Sequence, residues 1–147
     1  MHIERLHPAD LQAVMQIWLS GNLQAHAFIP KAYWESNLPL VEKQLPQSEV
    51  YTAKENDLVC GFIGLCGGHI EGLFVGEACR GRGVGKALLD FAKTKYPVLT
   101  LCVYQKNTRA AAFYRREGFS LERAGTDAST GEPELQMRWQ AEKEKFV

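Results

Sequence analysis

The sequence predicts an α/β fold, a mixed and mostly antiparallel twisted sheet of about seven strands flanked by about four helices. Short apolar runs bounded by turn residues recur along the chain, and amphipathic runs of helical period interrupt them. Consecutive strands are expected to pair antiparallel, whereas a strand reached across a helix is expected to be parallel to its predecessor. With 147 residues, 46% of them hydrophobic, the chain can build its own core, so we expect one domain over residues 1–147.

The first third of the chain is expected to contain one strand and two helices. Residues 2–6 form the strand, and a helix opens at Pro8 because apolar residues then recur at helical spacing. The Ser-Gly-Asn sequence at residues 20–22 is expected to close this helix. A second helix is expected over residues 30–45, where Pro39 should bend or split it.

The middle of the chain is expected to form three consecutive antiparallel strands. Residues 50–54 and 58–65 are predicted to form a hairpin around a turn at Asn56-Asp57. The pair Gly67-Gly68 then turns the chain into a third strand over residues 70–75.

Helices and strands alternate in the last part of the chain. A glycine-rich loop leads into a helix that ends near Lys95, and the next strand, residues 98–104, is apolar on both faces. Such a strand is typical of a buried, parallel position. Asn107 is a good N-cap for the last helix, and Gly118 is a good C-terminal cap. Two final strands are expected over residues 119–123 and 135–139.

The loop before the third helix has the composition of an anion-binding site. Glycine allows positive φ, and the first turn of a helix offers unpaired N–H groups at the positive end of its dipole. The spacing excludes a P-loop, because Gly81 and Gly85 are one residue too close and Ala87 replaces the required hydroxyl residue. It also excludes the dinucleotide fingerprint, whose third glycine would fall at Lys86. The segment consists of Arg80, Gly81, Arg82, Gly83, Val84, Gly85 and Lys86.

Two motifs, in this order and one strand apart, carry a family resemblance. The Arg-x-x-Gly-x-Gly pattern at residues 80–85 resembles the acetyl-CoA-binding loop of the GNAT N-acetyltransferases. The segment at residues 107–119 resembles that family's second signature, an Asn-led helix that carries Phe-Tyr and ends in Gly-Phe. The resemblance covers residues 69–119 and is closest to small bacterial single-domain members. It implies a GNAT-type sheet whose central parallel pair of strands splays apart.

The resemblance also implies acetyl-CoA as the co-substrate, and no metal. The pantetheine arm is expected between the splayed strands, and the diphosphate on the amides of the glycine-rich loop. A buried unpaired amide costs roughly 1–3 kcal/mol, so a ligand that supplies acceptors there is favoured. The expected cofactor-binding residues are Leu73, Phe74, Val75, Arg80, Gly81, Arg82, Gly83, Val84, Gly85, Lys86, Asn107, Phe113, Tyr114 and Arg116.

Acyl transfer to an amine requires a base for the ammonium and a proton for the departing thiolate. By its position in the second signature, Tyr114 resembles the family's general acid, and a phenol is protonated at neutral pH because its reference pKa is about 10. Glu71 is the candidate base, directly or through water, because the two-residue strand period puts it on one face with Leu73 and Val75. His69 and a water chain without a single base remain alternatives.

The acceptor is expected to bind against the segment after the first helix, which covers the cleft in the resembled family. Aromatic residues there form a wall suited to an aliphatic amine, and one residue of the splayed strand completes the expected acceptor site. These substrate-binding residues are His26, Phe28, Trp34 and Tyr104.

The predicted function is acetyl-CoA-dependent N-acetylation of a primary amine, on a small molecule or a protein lysine, by direct attack in a ternary complex. The alternatives are a non-catalytic acyl-CoA sensor and a toxin that acetylates aminoacyl-tRNA. A formal net charge of +0 argues against a nucleic-acid partner, and no apolar run is long enough to span a membrane. The four cysteines lack metal-ligand spacing and are expected to be buried thiols. We expect a cytoplasmic, bacterial-type monomer or homodimer.

Overall fold

A single seven-stranded sheet organises the computed structural model, which describes residues 1–142. The last five residues of the predicted domain therefore lie outside the described part. The strands lie in the order β1-β2-β3-β4-β5-β7-β6, and within the described residues only β4 and β5 pair in parallel. The strands are β1 (His2–Arg5), β2 (Glu49–Glu55), β3 (Leu58–Cys66), β4 (His69–Val75), β5 (Val98–Tyr104), β6 (Ser120–Thr126) and β7 (Pro133–Gln140).

Four α-helices flank the sheet, so the predicted fold class is confirmed. They are α1 (Leu11–Ala25), α2 (Lys31–Gln44), α3 (Val84–Lys95) and α4 (Thr108–Arg116). Asn107 caps α4, because its side-chain oxygen accepts a hydrogen bond from the Ala110 amide at 3.2 Å. The predicted hairpin is also present, and both turn residues, Asn56 and Asp57, have positive φ.

Helix α1 does not end at residues 20–22, and this expectation is wrong. A Cβ atom at Gly21 would lie 2.9 Å from the Phe74 ring, so the missing side chain lets α1 lie directly against β4. Asn22 is buried, and its Nδ2 donates to the Trp18 carbonyl at 2.9 Å. Glycine and asparagine serve packing here, and the helix continues to Ala25.

Pro39 does not split α2, which runs through it from Lys31 to Gln44. A proline removes one backbone donor and so leaves the carbonyl four residues earlier without its helical partner. That carbonyl belongs to Glu35, an exposed residue that water can reach. The missing hydrogen bond is therefore compatible with a continuous helix.

The core is divided between the two faces of the sheet. The larger cluster lies under α3 and α4 and includes Leu88, Leu99 and Met137, each fully buried. The smaller cluster lies under α1 and is formed by Val14, Val50, Val59 and Phe62. Each β4 side chain therefore lies either with the larger cluster or on the α1 side of the sheet, and this determines which residues line the site.

Candidate active site

The glycine loop between β4 and α3 presents a row of unpaired amides. Gly81 and Gly83 have φ values of +79° and +76°, and a Cβ at either would meet no atom within 4 Å. Among residues 1–142, the N–H groups of residues 81–86 find no backbone or side-chain acceptor. These donors lie in the loop and the first turn of α3, where the helix dipole is positive. The loop therefore fits a diphosphate.

The predicted cationic side chains of this loop are already engaged with the protein. The Lys86 ammonium donates hydrogen bonds to neighbouring carboxylates, which raise its pKa, with Glu117 contributing most and Asp90 next. Arg116 is exposed near the end of α4. Backbone amides, rather than these cations, are thus the free anion-binding groups. The three contacts are Arg80 to Gln24 at 2.5 Å, Arg82 to Glu55 at 3.2 Å, and Lys86 to Glu117 at 3.1 Å.

Strands β4 and β5 separate soon after they meet. They pair only between His69 and Thr100 and between Ile70 and Leu101. Beyond these pairs, the facing edges of residues 73–75 and 102–104 have no partner strand. The gap continues toward the glycine loop that follows β4, so it fits an extended arm such as pantetheine. Its backbone groups offer the hydrogen bonds that a neighbouring strand would otherwise make.

A β-bulge interrupts β4 at Glu71. Across the β3–β4 pair, Gly64 faces Gly72 while Leu65 faces Ile70, which leaves Glu71 as the extra residue on β4. A bulge of this kind breaks the two-residue alternation of side chains.

As a result, Glu71 does not share a face with Leu73 and Val75, and this expectation is wrong. Leu73 and Val75 pack against the larger core cluster, whereas Glu71 borders a groove on the opposite face of the sheet, together with Phe74. The groove has a volume of about 550 Å³. The bulge thus turns the carboxylate toward the side covered by α1 and α2. The apolar walls of the groove include Trp18, Val41, Leu45, Val50, Phe62 and Phe74.

His69 also lies at the start of the gap. Its Nδ1 is 2.9 Å from the Thr100 hydroxyl, across the parallel pairing of β4 and β5. His69 therefore has a side-chain partner, whereas Glu71 is exposed and makes no side-chain hydrogen bond or ion pair within the described part of the chain.

Tyr114 belongs to the larger core cluster, and its ring packs edge-on against Phe113 and Phe119 at 5.2 and 5.5 Å. Burial raises the pKa of Tyr114, so the phenol stays protonated. The residue is 9% exposed, and its hydroxyl has no hydrogen-bond partner among residues 1–142. This hydroxyl is nevertheless not one of the fully enclosed unpaired polar atoms, so it keeps a solvent-accessible tip.

The predicted acceptor residues come together around one histidine. The His26 ring lies 4.9 Å from that of Tyr104, 5.6 Å from that of Trp34 and 5.7 Å from that of Phe28, between centroids. Phe28 in turn packs edge-on against Tyr104 at 5.6 Å. These four residues, His26, Phe28, Trp34 and Tyr104, are called the acceptor wall below. Burial lowers the pKa of His26 to about 4, so its imidazole is neutral.

The wall also includes a contact that sequence reasoning missed. The Tyr104 hydroxyl donates to Asp127 Oδ2 at 2.5 Å, and Asp127 Oδ1 accepts from the Ser129 amide at 2.8 Å. Burial alone would raise the pKa of Asp127, but these hydrogen bonds outweigh it and lower the pKa. An Asp-x-Ser pattern signals a local turn, yet nothing in it reveals the distant tyrosine.

A second missed carboxylate, Glu134, faces Tyr104 across the β5–β7 pair. Burial raises its pKa, and the negative charge of Asp127 raises it further. Burial raises the pKa of the Cys102 thiol, the charges of Glu134, Asp127 and Glu71 raise it further, and Arg123 acts to lower it, so carboxylates outnumber cations around this face of β5. Such a surface attracts a cationic partner.

Two cysteines differ from expectation. Cys60 and Cys79 are buried, but Cys66 and Cys102 are exposed because their side chains lie on the open face or at a strand end. All four are free thiols. Within residues 1–142, no three His, Cys, Asp or Glu side chains come close enough to hold a metal ion.

Comparison with known proteins decides the family. The model of the acetyltransferase (GNAT) domain matches residues 46–121, more than half of the chain. The chain belongs to the GNAT acetyltransferase family. It is an N-acetyltransferase, and acetyl-CoA is its acetyl donor. The glycine loop and the gap fit this donor, as described above.

The match to individual relatives extends over nearly the whole length of both proteins. The chain is 31% identical to the peptidyl-lysine N-acetyltransferase YiaC of Escherichia coli K12, covering 93% of this chain and 95% of the relative. It is 31% identical to the peptidyl-lysine N-acetyltransferase YjaB of Salmonella typhimurium, covering 90% and 92%. The solution structure of apo YjaB from Escherichia coli superposes with a TM-score of 0.85 at 28% identity, covering 96% and 98%.

Among residues 1–142 of this acetyltransferase, no helix combines the length and the apolar character needed to cross a bilayer.

Proposed function

We propose that this acetyltransferase moves the acetyl group of acetyl-CoA to the ε-amine of a lysine in a protein or peptide. The names of the relatives YiaC and YjaB support this acceptor class, because both are described as peptidyl-lysine N-acetyltransferases. A lysine side chain is a cation on an apolar stem, and the acidic open face beside an aromatic wall suits both parts.

The single observation that carries the proposal is the gap between β4 and β5. At one end it adjoins the free amides of residues 81–86, Glu71 borders the groove on one face of the sheet, and Tyr104 of the acceptor wall ends β5. A thioester lying in this gap is accessible to an amine from the open face. Both substrates can therefore be bound together, which supports direct attack in a ternary complex.

The cofactor is proposed to lie along β4 and the glycine loop. Leu73, Phe74 and Val75 would pair with the pantetheine arm, and amides of residues 81–86 would bind the diphosphate. Several charge-assisted hydrogen bonds, each contributing roughly 1.5–3 kcal/mol, are sufficient to hold the diphosphate in the loop. The remaining proposed contacts are Arg80, Asn107, Phe113, Tyr114 and Arg116.

The chemistry needs two proton transfers. The amine nitrogen attacks the thioester carbon, the C–S bond breaks, and the CoA thiolate leaves. We assign Glu71, directly or through water, to remove the proton of the ammonium, with His69 as the alternative base. Tyr114 is assigned to donate a proton or a hydrogen bond to the leaving sulfur, because its phenol is neutral and has no competing partner.

We further propose a single-domain bacterial protein, monomeric or homodimeric, that acts in the cytoplasm without nucleic acid or membrane. Free thiols support a reducing compartment, and the relatives YiaC and YjaB come from bacteria. A formal net charge of +0 speaks against a nucleic-acid substrate such as aminoacyl-tRNA.

The proposal is tested by incubating the enzyme with acetyl-CoA and a pool of lysine peptides or a pool of small amines. Release of free CoA thiol, and mass spectrometry of the products, should show acetylation at lysine ε-amines. Acetyl-CoA binding without amine-dependent thiol release would instead support a sensor. Acetylation confined to the small amines would overturn the peptidyl acceptor.

The base is tested by Glu71→Gln and His69→Gln, with Glu122→Gln as the control. Glu122 lies on the edge strand β6, where it contacts Arg138 and Gln136. Loss of the base should lower kcat by roughly 10²–10⁴-fold. If neither variant at positions 71 and 69 lowers kcat by more than the control does, deprotonation by a single side chain is rejected.

A further inference from the structure

His26 connects two helices that are far apart in the chain. It caps the C-terminus of α1, whereas Asn107 caps the N-terminus of α4, and their side chains meet at 3.2 Å. On its other side, the His26 ring lies 2.9 Å from the Asn22 side-chain oxygen. Both ring nitrogens are therefore engaged.

The direction of each hydrogen bond to His26 follows from the other hydrogen bonds that Asn22 and Asn107 make. Asn22 uses its Nδ2 to donate to the Trp18 carbonyl, so its oxygen faces His26 Nδ1, which must donate. Asn107 uses its oxygen to accept from the Ala110 amide, so its Nδ2 faces His26 Nε2, which must accept. Only the neutral imidazole with its proton on Nδ1 satisfies both neighbours.

The surroundings of the ring agree with this assignment. Phe28, Trp34 and Tyr104 surround it and carry no charge, and none of the ion pairs of the described residues includes it. The Nε2 lone pair is occupied by Asn107, which leaves no free position for accepting a proton from substrate. His26 is therefore unsuited to act as a base.

We propose that His26 is a positioning residue that fixes the acceptor wall to the helix carrying Tyr114. This inference rests on the proposed function. Asn107 and Tyr114 belong to the same short helix with its cap, so a displacement at the cap is passed on to Tyr114. The acceptor is held by the wall and the leaving sulfur meets Tyr114. The bridge through His26 thereby sets the distance between the two substrates' reacting groups.

The kinetic test compares three variants on the lysine peptide with the highest turnover in the pool above. His26→Phe keeps a flat ring in the aromatic cluster but loses both hydrogen bonds, and His26→Gln keeps an amide oxygen that accepts from Asn107. His7→Phe is the matched control, because His7 is exposed, its side chain forms an ion pair with Glu4, and neither residue belongs to the proposed site.

We expect kcat/KM for the peptide to fall roughly 10²-fold in His26→Phe, because misplacement by about 1 Å has an effect of that size. His26→Gln should recover part of the loss, and the acetyl-CoA dissociation constant should change much less than kcat/KM, because the proposed diphosphate site at residues 81–86 does not include the bridge. Unchanged kcat/KM in His26→Phe, or an equal loss of acetyl-CoA affinity, would overturn the inference. The inference would also be overturned if kcat/KM of His26→Gln did not exceed that of His26→Phe while thermal melts show both variants to be folded.

A second measurement does not depend on any acceptor. In two-bond ¹H–¹⁵N NMR spectra at neutral pH, His26 should appear as the neutral Nδ1–H tautomer. A protonated ring or the Nε2–H tautomer at His26 would overturn the bridge. If no amine is acetylated, the proposed function is rejected, but this spectrum still tests whether His26 bridges Asn22 and Asn107 as a neutral ring.

Discussion

The glycine loop and the acceptor wall both adjoin the ends of β4 and β5 that border the gap, but they are built in different ways. The loop is one continuous segment whose shape follows from positive φ at Gly81 and Gly83 and from the start of α3. The wall is assembled from α1, α2, β5 and the loop before β7, held by Tyr104 and His26. In the proposed function, a locally determined loop binds acetyl-CoA, and a wall built from distant elements holds the amine.

Because of this difference, we expect substitutions in the two regions to affect the binding of different substrates. A change in the loop should act on acetyl-CoA, and a change in the wall should act on the amine. The following substitutions are ordered from the largest expected effect to the smallest.

The largest effect is expected for Gly83→Glu, with Gly131→Glu as its counterpart. Both glycines have φ of +76° and open space around a Cβ, so the backbone strain is matched. Gly83→Glu adds a negative charge at the amides and should abolish acetyl-CoA binding, since several charge-assisted hydrogen bonds of roughly 1.5–3 kcal/mol each are lost together. Gly131→Glu should leave that affinity unchanged. Calorimetric titration with acetyl-CoA measures both, and equal affinities in the two variants would remove the loop as the diphosphate site.

Tyr114→Phe should lower kcat roughly 10²–10⁴-fold with little change in acetyl-CoA affinity, because the phenol is needed only when the sulfur leaves. Tyr96→Phe is the control, since Tyr96 hydrogen-bonds to Glu49 far from the gap. Single-turnover kinetics with saturating acetyl-CoA measures the step. Wild-type turnover in Tyr114→Phe would reject the acid assignment.

Tyr104→Phe keeps the ring against His26 and Phe28 but releases Asp127. A hydrogen bond to a charged group contributes roughly 1.5–3 kcal/mol, so the KM of the amine should rise about tenfold or more. The acetyl-CoA affinity should not change. Tyr51→Phe is matched, because the Tyr51 hydroxyl also donates to a carboxylate, that of Glu49 at 2.6 Å. A rise in the KM of acetyl-CoA instead would show that the wall and the loop are not separate.

The smallest effect concerns stability against pH. Burial lowers the pKa of His26 from 6.5 to about 4, so the unfolded chain takes up a proton first as the pH falls. The stability contributed by the neutral ring is complete above pH 6.5 and declines between pH 6.5 and about 4. The Tm of the wild type should therefore fall more steeply over this window than that of His26→Phe, which cannot bind the proton. Parallel Tm curves from thermal melts would contradict a neutral His26.

Local features of the fold could be predicted because neighbouring residues determine them. Asn56 and Asp57 accept positive φ and so give a two-residue hairpin turn, and Asn107 caps α4 through an amide three residues away. The same local logic failed at Gly21. There the decisive partner was the Phe74 ring, which lies on a distant strand and is invisible in the residues around the glycine.

In the candidate site, too, local features could be predicted and contacts between distant strands could not. The glycine loop and Tyr114 lie in the two motifs, and His26 was expected from its place after the first helix, but the face of Glu71 was predicted wrongly. A bulge depends on how two strands share hydrogen bonds, so alternation within β4 alone did not reveal it. Asp127 was missed for a related reason, since its tyrosine partner lies on another strand.

By itself, the sequence determined the α/β class, the order of the elements, the amide-lined loop and the family resemblance, because turn preferences, caps and periodicity act over a few neighbouring residues. Only the tertiary structure decided which face Glu71 occupies, that Asp127 anchors Tyr104, and that His26 joins α1 to α4. These contacts follow from the packing of the whole sheet and its helices. That packing depends on residues distant in the chain, so no local pattern specifies it.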